Sequence, residues 1–247
     1  MKKTILRIVL LLGFALTVYG DTIDDAVANP GRPAADTQDD AGRKPADILR
    51  FFQIKPGMAV FDIFAGGGYY SELLSYVVGS EGHVVLYNNN PWNSFVGKAV
   101  DTRLADGRLP NVSRNTSTPD SLVDLDSQYD TAIFVLGMHD IYYADPGNGW
   151  LAIDREKFLK GIYGLVKSGG VLGIIDHNGA QGADSEKISK ELHRIDPAVI
   201  IRDLEAVGFT LEASSDVLRN ENDVLTTSVF TPENKRKTDR SVLRFRK

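Results

Sequence analysis

The 247-residue chain contains no cysteine. Disulfides, thiolate metal sites and a lipid-modified N-terminal cysteine are therefore excluded. The absence leaves the compartment open, because an exported protein can do without disulfides. No apolar run reaches the roughly 20 residues that a membrane-spanning helix needs. Positive charge is not in excess either: 28 Lys and Arg stand against 33 Asp and Glu, a net charge of −5. That balance argues against a general nucleic-acid binder. Internal repeats and low-complexity segments are missing as well.

What is present begins with a targeting pattern. Lys2, Lys3 and Arg7 precede an uncharged apolar run over 8–18, and Val18 and Gly20 place small residues before Asp21. This is the layout of a secretory signal peptide, with an uncleaved anchor as the alternative. The expected organisation is a signal peptide at 1–20, an extended N-terminal arm at 21–43 and one domain at 44–247. The expected location is outside the cytoplasm, in the periplasm, with no stable membrane span after cleavage. Removing the three basic residues takes the charge from −5 to −8. The end of the chain runs the other way, with Lys235, Arg236, Lys237, Arg240, Arg244, Arg246 and Lys247. They read either as a solvated face beside a last strand or as a surface for an anionic partner.

Pro45 near a helix start and an apolar face of Ile48, Leu49, Phe51 and Phe52 open the domain with a helix. Strand and helix signals then alternate. Strands are expected at 58–63, 83–87, 112–115, 131–136 and 171–175, with helices at 69–78, 92–104, 155–166, 185–193 and 198–207. Further strand signals follow at 209–214, 224–230 and 242–245, without helices between them. Alternation of this kind gives an α/β fold, a mostly parallel sheet with helices on both faces. The helix-free ending suggests an antiparallel pair closing one edge.

In such a sheet, ligands bind at the carboxyl ends of the strands. The first strand end carries Asp62 and then Ala65, Gly66, Gly67 and Gly68. Glycine allows a sharp turn and close ligand approach, and the helix that follows offers free N–H groups. The alternative is a tight strand-to-helix turn with no ligand. The second strand end carries Asn88 and Asn89, another carries Gly137, Met138, His139 and Asp140, and another Asp176, His177 and Asn178. No spacing among these residues indicates a metal site.

The ordered set resembles the class I S-adenosylmethionine (SAM)-dependent methyltransferases. Residues 60–69 resemble that family's first motif, Lys167-Ser168-Gly169-Gly170-Val171-Leu172 its turn before the fifth strand, and Gly208-Phe209 its late Gly-Phe pair. More narrowly, the segment 138–143 and the ending from Thr238 to Lys247 are similar to bacterial predicted methyltransferases, many with export signals. The resemblance covers roughly 44–247. It implies a Rossmann-like, mostly parallel seven-stranded sheet with an antiparallel edge strand, SAM as cofactor, and methyl transfer to an acceptor, expected to be a small molecule.

The resemblance also implies roles. Asp62 would hold the amino end of the cofactor's methionine. Ala65, Gly66, Gly67 and Gly68 would line the methionine and ribose, and Asn88 or Asn89 would meet the ribose hydroxyls. His139 and Asp140 would be the substrate-side catalytic groups, with His139 taking a proton. Their other reading is a hydrogen-bonded wall residue and a helix cap. Two positions depart from the family pattern. Phe64 stands where the first glycine belongs, and amides replace the usual ribose-binding acid, a loss on the order of 1 kcal/mol. An export signal together with these departures keeps a second function open, a non-catalytic binding protein on the same fold. A dinucleotide oxidoreductase is the third reading. It is weakened by Ser71 in place of the third glycine.

Overall fold

The computed structural model describes residues 19–125 and 128–247, with residues 19–21 described by their backbone alone. The expected signal peptide lies almost wholly outside the described residues. Two short helices come first, α1 (Tyr19–Val27) and α2 (Ala34–Arg43), then α3 (Pro45–Phe51). There follow β1 (Ala59–Ile63), α4 (Tyr69–Val78), β2 (His83–Tyr87), α5 (Asn90–Leu104) and β3 (Val112–Asn115). The second half holds β4 (Tyr129–Val135), α6 (Arg155–Leu165), β5 (Val166–His177), α7 (Ser185–Leu192), α8 (Pro197–Ala206), β6 (Thr210–Ser215) and β7 (Arg240–Arg246).

The seven strands form one sheet in the order β3-β2-β1-β4-β5-β7-β6. The first five run parallel, and β7 lies antiparallel between β5 and β6. The antiparallel strand therefore sits one place in from the edge. The middle of β4, Ala132-Ile133-Phe134, is apolar without alternation and fully buried, as expected of a strand covered on both faces. One face packs Phe158, Ile162 and Ile200 over the sheet, the other packs Ile48, Phe52, Leu73 and Leu74.

Three sequence expectations change. The arm at 21–43 is helical rather than extended. Pro30 and Gly31 punctuate only the link between α1 and α2, and Ile23 and Ala26 of α1 are buried in the same cluster as Leu73 and Leu74. No strand forms at 224–230, where Leu225 has φ +59° and Val229 N–H donates to Leu192 of α7. The apolar residues there cover a cavity instead. The basic ending is largely spent internally: Arg244 and Arg246 pair with Glu212, Arg236 with Asp39 of α2, and Lys247 donates to the Tyr163 carbonyl. Among the described residues no helix is long and apolar enough to cross a membrane.

Candidate active site

The carboxyl ends of β1, β2, β4 and β5 open on the same sheet edge, because all four strands run parallel. The chain turns there with unusual backbone angles. Phe64, just after β1, has φ +47°, and Leu136, just after β4, has φ +57°. Bulky residues rarely adopt the left-handed region, and such outliers gather at functional sites. Phe64 occupies a glycine position of the motif and adopts the angle a glycine would. Its ring turns into the core, stacked on Phe158 and Tyr87 and only 3% exposed. The bulk at this glycine position is accommodated largely by packing into the core, at the edge of the cavity described next.

A cavity of about 350 Å³ opens over the glycine loop. Asp62, Ala65, Gly66 and Gly67 line it from the loop, Trp92 and Val96 from α5, and Asp36, Asp39 and Arg43 from α2. A Cβ on Gly66 would meet nothing within 4 Å, so this residue presents bare backbone to open space. Gly68 is different. At φ +84° its Cβ would meet Leu86 at 2.9 Å and Arg103 at 2.8 Å, so it serves the turn and lies off the cavity wall. The loop is pinned by Arg103, which donates to the Gly67 carbonyl and pairs with both Asp36 and buried Glu72. Burial pushes the Glu72 carboxyl up, but Arg108, Tyr76 and Arg103 together hold it below its ordinary value.

The side chains of Asn88 and Asn89, implied by the resemblance to meet the ribose, are bonded to backbone of the chain itself. The Asn88 carboxamide makes a reciprocal pair with Gly66, accepting from its N–H at 3.0 Å and donating to its carbonyl at 2.9 Å. With each end of the amide bonded to Gly66 and the side chain fully buried, Asn88 clamps the loop. A carboxylate could accept but not donate, which gives the departure from the family acid a physical reason. Asn89 caps α5 by accepting from Trp92 N–H. Besides Asp62, the carboxylates lining this cavity, Asp36 and Asp39, come from α2, the segment expected to be an arm.

Asp62 is fully buried at the cavity floor, accepting from Ser71 Oγ at 2.6 Å. Burial pushes its carboxyl up to about 7, against the bonds from Ser71 and the charge of Arg103. Ser71, the residue that weakened the dinucleotide reading, thus supports the acid of the motif.

A second cavity, of about 530 Å³, adjoins the first, with Leu136 and Trp92 common to both walls. Its lining is aromatic: Trp92, Phe95, Tyr143, Trp150 and Phe230 surround His139, Asp140, His177 and His193. The Trp92 indole N–H, between the cavities, is buried without a hydrogen-bond partner among the described residues. His139 and Asp140 sit in a 3-10 turn after β4, and Asp176 reaches them from the end of β5. Asp176 accepts from the His139 backbone N–H at 2.9 Å and bonds its Nδ1 at 2.7 Å. His139 Nε2 lies 3.3 Å from Asp140.

Burial pulls the His139 imidazole down, but Asp176 and Asp140 outweigh it and raise it to about 9. Burial brings Asp140 up to about 6 and drives His193 down to about 4. The two carboxylates thus favour the protonated imidazole, and Asp140, held up by burial, stands beside it as a second candidate proton acceptor. Asp176 and His193 were not assigned roles from sequence. Asp176 was visible only as a strand-end acid, and His193 is brought in by the helix–turn after β5. His193 has φ +53° at the C-terminal cap of α7 and stacks on Tyr143.

No family model matches the chain. It is similar to the ubiquinone/menaquinone biosynthesis C-methyltransferase UbiE of Legionella pneumophila strain Corby, 25% identical over 128 residues, covering 52% of this chain and 46% of the relative. The same-named enzyme of Shewanella oneidensis is 27% identical over 135 residues, covering 54% and 48%. The chain thus spans about half the length of the curated relatives it matches. Among solved structures, a SAM-dependent methyltransferase from Aquifex aeolicus superposes with a TM-score of 0.57 at 18% identity, covering 87% of this chain and 97% of that one. An arsenic(III) SAM methyltransferase from Chlamydomonas reinhardtii superposes with a TM-score of 0.53 at 15% identity, covering 91% and 72%. The likeness in fold, with the seven-stranded sheet described above, makes the architecture that of the class I SAM-dependent methyltransferases.

Proposed function

We propose that the chain is a SAM-dependent methyltransferase acting on a small, flat, largely apolar acceptor, and that it does so after export. The observation that carries the reading is the meeting of two cavities at Leu136 and Trp92, one walled by backbone and carboxylates, the other by aromatic rings. The residues of the first fit the cofactor. Open space over Gly66 admits close approach, Asp62 offers a carboxylate to the methionine ammonium, and Asp36 and Asp39 offer acceptors to ribose hydroxyls. When bound, SAM supplies an electrophilic methyl on sulfur. The protein holds donor and acceptor in line, and this positioning is the main source of rate. Asp140, beside the His139 imidazolium, is placed to take the proton that a hydroxyl acceptor gives up.

The aromatic lining selects a ring-bearing acceptor by area and stacking. The relatives named for ubiquinone/menaquinone C-methylation lend support to a quinol-like ring as its class. Calorimetric titration of the purified protein with S-adenosylhomocysteine tests the reading. Micromolar binding is expected, lost in Asp62→Ala. Transfer of radiolabelled methyl into the apolar fraction of a cell extract tests the second half. Absence of heat at millimolar ligand would overturn the proposal.

A further inference from the structure

We propose that His139, Asp140 and His193 form a binding site for one divalent transition-metal ion of the zinc or ferrous class, at the wall of the aromatic cavity. The inference rests on the methyl-transfer reading and changes its proton-taking step: the ion would displace the Nε2 proton of His139 and engage Asp140, and would itself make a bound acceptor hydroxyl easier to deprotonate. One ligand atom from each of the three residues falls in a group whose members all lie within 4.8 Å of one another. His139 Nε2 is 3.3 Å from Asp140 Oδ1, and His193 Nδ1 is 4.0 Å from the same oxygen. Donors bound at about 2.1 Å stand about 3.0 to 3.4 Å apart in octahedral or tetrahedral coordination. The first pair is already at that spacing, and His193 has up to about 1 Å to close on Asp140.

Three further features fit an ion. Asp176 bonds His139 Nδ1, which leaves Nε2 as the atom presented to the cavity. A carboxylate behind a ligating imidazole is the usual outer partner of a metal-bound histidine. Ser189 Oγ donates to the His139 carbonyl at 2.7 Å and the His139 N–H is held by Asp176, so this ligand is fixed at backbone and ring. His193 is held in a left-handed cap, a conformation whose cost needs a reason at a non-glycine position. Its ring lies 5.4 Å from that of His139, between Tyr143 and Phe230, with 27% of the side chain exposed toward the cavity. Two imidazoles with one carboxylate suit zinc or ferrous ions, whereas magnesium and calcium prefer all-oxygen sets. Three protein ligands leave positions open toward the cavity, where a hydroxyl or carbonyl oxygen of an acceptor would coordinate.

The test uses the full chain freed of metal with a chelator. Titration with Zn²⁺ is followed by calorimetry, and with Co²⁺ by its visible absorption. One equivalent is expected to bind, with Mg²⁺ failing to compete. His193→Ala and Asp140→Asn should each weaken Zn²⁺ binding at least 100-fold, and Asp176→Asn 10- to 100-fold. S-adenosylhomocysteine binding, measured on the same samples, reports that each variant is folded. Stoichiometric binding lost in the variants supports the site. No stoichiometric Zn²⁺ binding, or binding that survives both His193→Ala and Asp140→Asn, overturns it. S-adenosylhomocysteine binding without metal binding sinks the site and spares the transferase reading, and the converse result does the opposite.

Discussion

The two adjoining cavities are built by opposite means. The one over the glycine loop is shaped by backbone: Gly66 faces open space, Asn88 grips its N–H and carbonyl, and Arg103 holds the next carbonyl. The aromatic one is shaped by side chains that converge from the ends of β4 and β5, from the cap of α7 and from the loop before β7. A backbone-made site depends on a few interactions that bear on the fold itself. A side-chain-made site can lose one member and keep its frame. The contrast predicts where substitutions cost stability and where they cost only function.

The largest effect belongs to Glu72. It is fully buried and holds Arg103 and Arg108 at once. Breaking a buried pair leaves an uncompensated charge, so Glu72→Ala should destabilise the protein by about 3 kcal/mol. Urea unfolding measures it, and a loss below about 1 kcal/mol would mean that the loop frame is looser than its contacts imply. The same truncation in the other cavity, His193→Ala, should change stability by under about 1 kcal/mol, because His193 is partly exposed and caps its helix through backbone.

Asn88 gives the next effect and the sharpest discrimination. Were it a ribose ligand, Asn88→Asp would restore the family acid and tighten cofactor binding. As a clamp, the carboxylate faces the Gly66 carbonyl with nothing to donate, and a buried acceptor is left opposed. The expected result is a loss of about 1–3 kcal/mol in stability and weaker S-adenosylhomocysteine binding. Tighter binding in the variant would reject the clamp.

The same residue shows what the sequence made legible. Element positions were, because apolar runs and glycine stops are local: 69–78, 83–87 and 112–115 match α4, β2 and β3 to the residue. Asp62 and the loop 65–67 were legible as a site for the same reason. The direction of the Asn88 amide was not, since it depends on a partner 22 residues away. The helical state of 34–43 was also hidden. Its stability rests on pairs such as Arg103–Asp36 and Arg32–Asp40 rather than on an apolar face, and α2 buries no residue. His193 was invisible because only a left-handed helix cap brings it to His139. The strand expected at 224–230 failed since its apolar residues face a cavity instead of a sheet.

A pH test separates the floor of the first cavity from its walls. The Asp62 carboxyl lies at about 7 in the folded state against an ordinary 3.8. Between these values the folded protein binds a proton that the unfolded chain does not. The stabilisation from the protonated form is complete below 3.8 and is lost as pH rises through about 7. Asp62→Asn should therefore flatten the fall in stability across that window relative to wild type. Matching slopes in thermal melts from pH 4 to 7.5 would show that Asp62 titrates normally.

The smallest effect on the fold should come from Phe95, which is 73% exposed at the rim of the aromatic cavity, its ring 5.7 Å from that of Trp150. Truncating an exposed ring removes little buried area, so Phe95→Ala should shift stability by under about 0.5 kcal/mol. Affinity for S-adenosylhomocysteine should not change, because the residue takes no part in the loop cavity. What should weaken is capture of an apolar aromatic probe, since one wall of a stacking surface is gone. Displacement of a fluorescent naphthalene dye by simple quinols reads that loss directly. If the variant binds dye and quinol as wild type does while Trp150→Ala does not, the acceptor surface lies deeper, against Trp92 and Tyr143. If both variants bind as wild type, the aromatic cavity is not the acceptor site, and the division of labour between the two cavities fails with it.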